Sequence, residues 1–218
     1  MKKTFAIIAC AAVMLFAGKA NAQTHINLGF TPTTISTTNG NAHDTIALNG
    51  ISVGVNQNIS LSGNLCLSVG LQARYGFASK ESTLDLGILG SAKATADYSQ
   101  LALDIPVLLN YGFNLGKDLR VTPFVGPTIS FALAGKTKWS GNANVLGALN
   151  LGTDGEDDWY EEDDKNSRFN LGATFGACLD FSQFHVFGGY NLGLLNLSSA
   201  DNTTRKQSGW FIGLGYKL

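Results

Sequence analysis

From Leu101 to Leu115 the chain alternates with a period of two. Leu101, Leu103, Ile105, Val107, Leu109, Tyr111, Phe113 and Leu115 are apolar, and Asp104, Asn110, Gly112 and Asn114 stand among the residues between them. Successive side chains of an extended chain point to opposite faces, so this spacing puts the apolar residues on one face of a strand. A helix would scatter them around its axis. The same alternation runs through residues 65–77, 119–133, 169–181, 186–194 and 210–218. Two shorter stripes, Ile26, Leu28, Phe30 and Ile51, Val53, Val55, complete eight predicted strands.

Period two does not say which face is buried, and a secreted lipocalin-like barrel would share it. Three features favour a bilayer. Many runs reach the roughly 9–11 residues a strand needs to cross at a tilt. The opposite face is small and weakly polar, as a narrow lumen requires, rather than rich in Lys and Glu. Short predicted turns at residues 60–63, 115–118 and 182–183 alternate with long predicted loops at 33–44, 80–97, 136–166 and 198–206. The expected architecture is therefore all-β, an eight-stranded antiparallel up-and-down transmembrane β-barrel, closed because lipid tolerates no unpaired edge. Tyr75, Phe77, Phe131 and Trp210 are expected at one interface and Tyr111, Phe113, Phe181 and Tyr216 at the other. Pro106, Pro123 and Pro127 fall inside two of the strands, where bulges or missing ladder bonds are expected.

The N-terminus adds a destination. Lys2 and Lys3 precede an uncharged apolar run from Phe5 to Ala17, and Ala20-Asn21-Ala22 forms a small-x-small site. This predicts a signal peptide over residues 1–22, cleaved before Gln23, and a barrel over residues 23–218. Cys10 lies inside the apolar run, which argues against lipidation. After cleavage 12 bases face 16 acids, since Lys2, Lys3 and Lys19 leave the 15 Lys and Arg of the whole chain. A mildly acidic chain is no nucleic-acid surface. Cys66 and Cys178 do not make a disulfide scaffold. They are expected as free thiols on the lumen face, three strands apart.

Several segments resemble the Bacteroidetes outer-membrane β-barrel family that includes the PorT-like proteins. Leu103-Asp104-Ile105-Pro106-Val107-Leu108-Leu109-Asn110-Tyr111 resembles that family's L-E-I-P-L-L-L-K-Y strand, and Pro123-Phe124-Val125-Gly126-Pro127-Thr128-Ile129-Ser130 its P-Y-x-x-G-P-x-x-S strand. Tyr190-Asn191-Leu192-Gly193-Leu194-Leu195-Asn196-Leu197 resembles Y-x-x-G-L-x-N-I. The ending Gly213-Leu214-Gly215-Tyr216-Lys217-Leu218 is similar to L-G-Y-K-F, with Leu218 where Phe is usual. The resemblance implies the outer membrane of a Gram-negative cell of Bacteroidetes type, and no single activity.

Candidate chemistry is sparse. Asp154, Glu156, Asp157, Asp158, Glu161, Glu162, Asp163 and Asp164 hold 8 of the 16 acids. Such a run can bind calcium or bridge to lipopolysaccharide through divalent ions, but it lacks the EF-hand spacing. The plainer expectation is a solvated, self-repelling loop. Arg74, Asp104, Arg120 and Asp180 are expected to form a charge network inside the lumen, where buried charges must pair. The histidines His25, His43 and His185 show no zinc spacing, and they are not expected to converge. No catalytic residue, cofactor or confident metal ligand emerges. The expected function is a non-enzymatic structural or surface-interaction barrel, with a small transport or lipid-modifying barrel as the alternative. Expected partners are outer-membrane lipid and lipopolysaccharide, the barrel assembly machinery, and a possible protein partner at the outer loops.

Overall fold

The structure, a computed structural model, describes residues 22–85, 90–145, 149–160 and 166–218. The predicted signal peptide falls almost wholly outside them, as do Glu161, Glu162, Asp163 and Asp164. Eleven strand segments are present: β1 (Ala22–Phe30), β2 (Thr33–Asn39), β3 (Ala42–Ser62), β4 (Leu65–Asp85), β5 (Gly90–Tyr111), β6 (Phe113–Asn114), β7 (Leu119–Val145), β8 (Leu149–Asp158), β9 (Phe169–Phe181), β10 (Phe184–Gly193) and β11 (Thr203–Lys217). They form eight staves. β1 and β2 are one stave interrupted at Thr31 and Pro32, β6 continues β5, and β8 is a flap on β7. The ring closes because β1 pairs with both β11 and β3, with Leu28 opposite Leu214 on one side and Val53 on the other.

The predicted facing holds. Leu28, Ile51, Val53, Val125, Phe175, Ile212 and Leu214 are each half exposed or more. Most buried side chains are polar instead, including His25, Asn27, Asp104, Thr128, Thr174, Asp180 and His185. A molecule that is apolar outside and polar inside is solvated correctly only by lipid. Rings gather at two levels on the outside. Phe30 meets Trp210 and Tyr75 meets Phe77 near one rim, while Tyr111 meets Phe113 and Phe184 meets Tyr216 near the other. Leu101 and Tyr111 on β5 stand at these two levels. Their ten steps, at about 3.3 Å each and tilted by about 40°, rise about 25 Å, the height of an apolar barrel band. The rim carrying Ala22 and Leu218 is called the lower rim below.

The predicted long loops are instead mostly ladder. β2 and β3 join through a tight turn at Gly40 and Asn41, with Gly40 at φ 55°. β4 and β5 stay paired to Asp85 and Ser91, and β7 pairs with β8 from Lys136 to Val145. Above the upper belt a four-stranded sheet, β4-β5-β7-β8, therefore continues beyond the bilayer. β7, with 27 residues, is more than twice the length a crossing needs. The alternation fades there because water bathes both faces, so no pattern marks these residues as strand. A bulge opposite Leu101 and Ala102 shifts the parity of β7 at Leu133. Its outward residues change there from Ile129 and Phe131 to Lys136 and Lys138. The prolines keep the register, but bridges drop out beside them: pairing skips Gly70 and Leu71 on β4 and Val107 and Leu108 on β5. Pro123 and Pro127 still sit opposite Ala177 and Ala173 of β9.

Candidate functional site in the barrel lumen

Charged and polar residues fill the lower lumen. Asp180 accepts hydrogen bonds from Nζ of Lys217 at 2.8 Å and from Oγ1 of Thr122 at 3.1 Å. The expected four-residue network is thus split. Arg120 is in register with Asp180, yet among the described residues it reaches only the carbonyl of Asn64, at 3.4 Å through Nη2. Lys217, absent from the expected network, takes the acid instead. His25 and His185 correct another expectation, for they converge with ring centroids 4.9 Å apart. Nε2 of His185 donates to Oδ1 of Asn27 at 2.8 Å, and Nδ2 of Asn58 donates to Nε2 of His25 at 3.3 Å. Barrel closure explains this. Asn27, Gly215 and His185 lie in one row across β1, β11 and β10, and the glycine between leaves the imidazole room to cross. His43 stays apart on the β2–β3 hairpin, bonded to Thr38 and Thr45.

Arg74 and Asp104 do pair. Nε and Nη2 of Arg74 donate to the two carboxylate oxygens at 2.8 and 3.3 Å, a side-on fork across β4 and β5. The sequence reading missed the lumen rings. Phe124, Phe187 and Phe211 stand on the mostly polar face, and Phe211 contacts both of the others, with centroids 6.2 Å apart in each pair. Their positions were legible as apolar residues out of phase with the lipid-facing stripe. Together these groups line a cavity of about 260 Å³, which Cys66 and Cys178 also border. Both cysteines are free thiols. Their strands, β4 and β9, are three steps apart in the ring, about 14 Å along the wall. Thiol titration of the denatured, unreduced mature protein is expected to find two reactive groups; finding none in a monomer would refute this strand order.

Side chains cross the upper end of the lumen. Gln207 on β11 donates across the barrel to Gln100 on β5 at 2.7 Å, and Gln100 donates to the Tyr160 hydroxyl at 3.0 Å. Trp159, expected on an exposed loop, is only 6% exposed and packs with Ile35 and Leu48. Its indole N–H donates to Thr137 at 2.6 Å, and Arg205 lies over its ring. Arg168 lies over Tyr160 and donates to its carbonyl. Gly135 makes the seat, since a Cβ there would meet the indole at 2.6 Å. With Trp139 and Trp210 replaced by Phe, the remaining Trp159 emission is expected to be blue-shifted and poorly quenched by iodide. Full quenching would mean that the cap is not seated.

The acidic run is no free loop where it is described. Asp154, Glu156, Asp157 and Asp158 lie on β8, opposite Ser140, Lys138, Thr137 and Lys136. Glu156 bonds Lys136 and lies 3.4 Å from Lys138. The hydrogen bond from Lys136 holds the Glu156 carboxyl below its ordinary range, and the same bond raises Lys136. Cross-strand lysines thus offset the repulsion that made a loop the expected state. Among the described residues, no group of three or more His, Cys, Asp or Glu is placed to hold a metal ion.

A closed antiparallel ring with an apolar exterior, a polar interior and two aromatic belts is a transmembrane β-barrel. The sequence matches the model of the family described as outer membrane protein beta-barrel domain over residues 16–199, and the chain belongs to that family. Its place is accordingly the outer membrane. No curated protein matches the sequence. Among solved structures it is similar to Ail, the attachment invasion locus protein of Yersinia pestis, at 10% identity and TM-score 0.41, covering 91% of this chain and 99% of that one. Neisserial surface protein A gives 10% identity, TM-score 0.45 and the same coverages. The toluene transporter TodX of Pseudomonas putida gives 10% identity and TM-score 0.32, covering 95% of this chain and 92% of that one.

Proposed function

We propose that this chain is a non-enzymatic, PorT-like barrel of a Bacteroidetes-type envelope, a structural or surface-interaction protein whose upper hairpins meet envelope components or a protein partner outside the cell. Residues 1–22 act as its cleaved signal peptide, and the barrel assembly machinery inserts it. The observation that carries this reading is the β4-β5-β7-β8 sheet standing above the upper belt. Its outward face exchanges lipid-compatible rings for Lys93, Asp97, Lys136, Lys138 and Glu156. A rigid, charged sheet held clear of the bilayer suits contact with lipopolysaccharide headgroups, directly or through divalent ions shared with the acidic run, or with a partner. Arg74, Asp104, Asp180 and Lys217 then serve as a plug, consistent with the Gln100–Gln207 bond and the Trp159 cap that oppose a through-path for transport.

Single cysteines in a background lacking Cys66 and Cys178 test the reading. Ser140→Cys should react with a membrane-impermeant maleimide on whole cells, and Lys117→Cys only after lysis. The reverse pattern would invert the barrel. A photo-cross-linker at position 140 should capture lipopolysaccharide or one defined protein. Steady conductance in planar bilayers without any adduct would favour the transport alternative.

A further inference from the structure

Among the described residues two arginines line the cavity, Arg74 and Arg120, and only one grips an acid. Arg74 uses its Nε–Nη2 edge on Asp104. The same edge of Arg120 has no acid, because Asp180 is engaged by Lys217 and Thr122. Its Nη2 reaches one backbone carbonyl at 3.4 Å, and its Nε is buried without an acceptor among the described residues. The charged groups lining the cavity are Arg74, Arg120 and Lys217 against Asp104 and Asp180, three positive and two negative, so one positive charge is in excess. Arg120 as a whole is only partly buried, but its shielded Nε edge gains from a counter-charge or a strong hydrogen bond.

Gly112 explains where the guanidinium rests. A Cβ on Gly112 would lie 1.8 Å from Nε and 2.1 Å from Nη2, so the cation is parked against bare backbone. That contact satisfies sterics and no hydrogen bond. The cavity also reaches Gln23, Ser60 and Lys217 at the lower rim. Gln100, Gln207 and the Trp159–Tyr160 cap lie across its far end. Phe124 stands four residues above Arg120 on the same face of β7, about 13 Å away along the strand. With Phe187 and Phe211 it forms an apolar lining deeper in the same cavity.

We propose that the lumen is a one-ended binding pocket for a small amphipathic anion, a carboxylate or phosphate monoester with an apolar tail. The anion enters at the lower rim, draws the Arg120 guanidinium off Gly112 into a bidentate grip, and lays its tail against Phe124, Phe187 and Phe211. Arginine suits both head groups because its planar fork matches two oxygens at once. Lys217 and Thr122 stand near enough in the lining to define the polar end, and His25 and His185 border it.

The test uses the full mature barrel in phosphocholine nanodiscs, labelled with ¹⁵N on arginine side chains and titrated with octanoate, octyl phosphate, acetate and octanol. Octanoate and octyl phosphate should shift the Arg120 Nε resonance saturably, acetate at least tenfold more weakly, and octanol not at all. Arg120→Gln should weaken octanoate binding at least tenfold, and Arg120→Lys less. Gly112→Ala, which removes the resting place without demanding a positive φ, should tighten it. The heat-modifiable gel shift verifies that each variant is folded. Adding phosphatidic acid, a lipid whose headgroup is a phosphate monoester, to the nanodiscs separates the sources. Competition with octanoate identifies a lipid headgroup as the natural anion, and no competition identifies a free solute. Equal binding by Arg120→Gln, binding of octanol as strong as octanoate, or no saturable shift would overturn the proposal.

Discussion

Replacing Leu214 by Arg abolishes the heat-modifiable folded band, or lowers unfolding stability in phosphocholine vesicles by about 2–4 kcal/mol, the range for a cation on the lipid face near mid-bilayer. Leu214 is 63% exposed, as is Leu28 opposite it on the closing pair of strands. No lumen residue can neutralise a cation placed there, and the seam between first and last strands is where closure fails first. Lys206 is the control. It is exposed on the same face of β11, paired with Ser36 above the upper belt. Lys206→Asp should stay within about 0.5 kcal/mol, as surface changes do. Lys217 is unsuitable as a control because it holds Asp180. Equal cost at positions 206 and 214 would refute the assigned bilayer level.

Asp104→Leu is expected to cost about 3–5 kcal/mol, the usual penalty for leaving one partner of a buried pair uncompensated. The side chains of Arg74 and Asp104 are 12% and 10% exposed, and the second contact of the arginine is Thr33 at a distant 3.5 Å. Urea unfolding in the same vesicles reads the loss. Adding Arg74→Met to Asp104→Leu should recover most of it, because two apolar groups of similar volume need no partner. A double variant as unstable as the single would mean that the pair serves packing rather than charge compensation.

The upper sheet shows why its strands were hard to read. β4 and β5 look like sequence for a loop from Lys80 to Asp97, yet they pair without interruption from Phe77 and Ser99 to Asp85 and Ser91. Hairpin pairing satisfies the backbone in water as it does in lipid, but water imposes no apolar face, so the signal ends where the bilayer does. The Trp159 cap was hidden for a related reason. It is made by residues far apart in the chain, Ile35, Leu48 and Trp159, which meet only after the ring has closed.

The sequence by itself determined the barrel, its strand number, its facing and its aromatic levels, because lipid on one side and a narrow lumen on the other force every second residue into a fixed character. It placed Arg74, Asp104, Arg120 and Asp180 inside for the same reason. Only the tertiary structure decided who pairs with whom. Closure brought His25 to His185 through the row at Gly215. Lys217 took Asp180 across β10, and Arg120 came to rest on Gly112. A period of two fixes the side of the wall on which a residue stands, but its height and its neighbours across the lumen follow from register and shear, which no local pattern encodes.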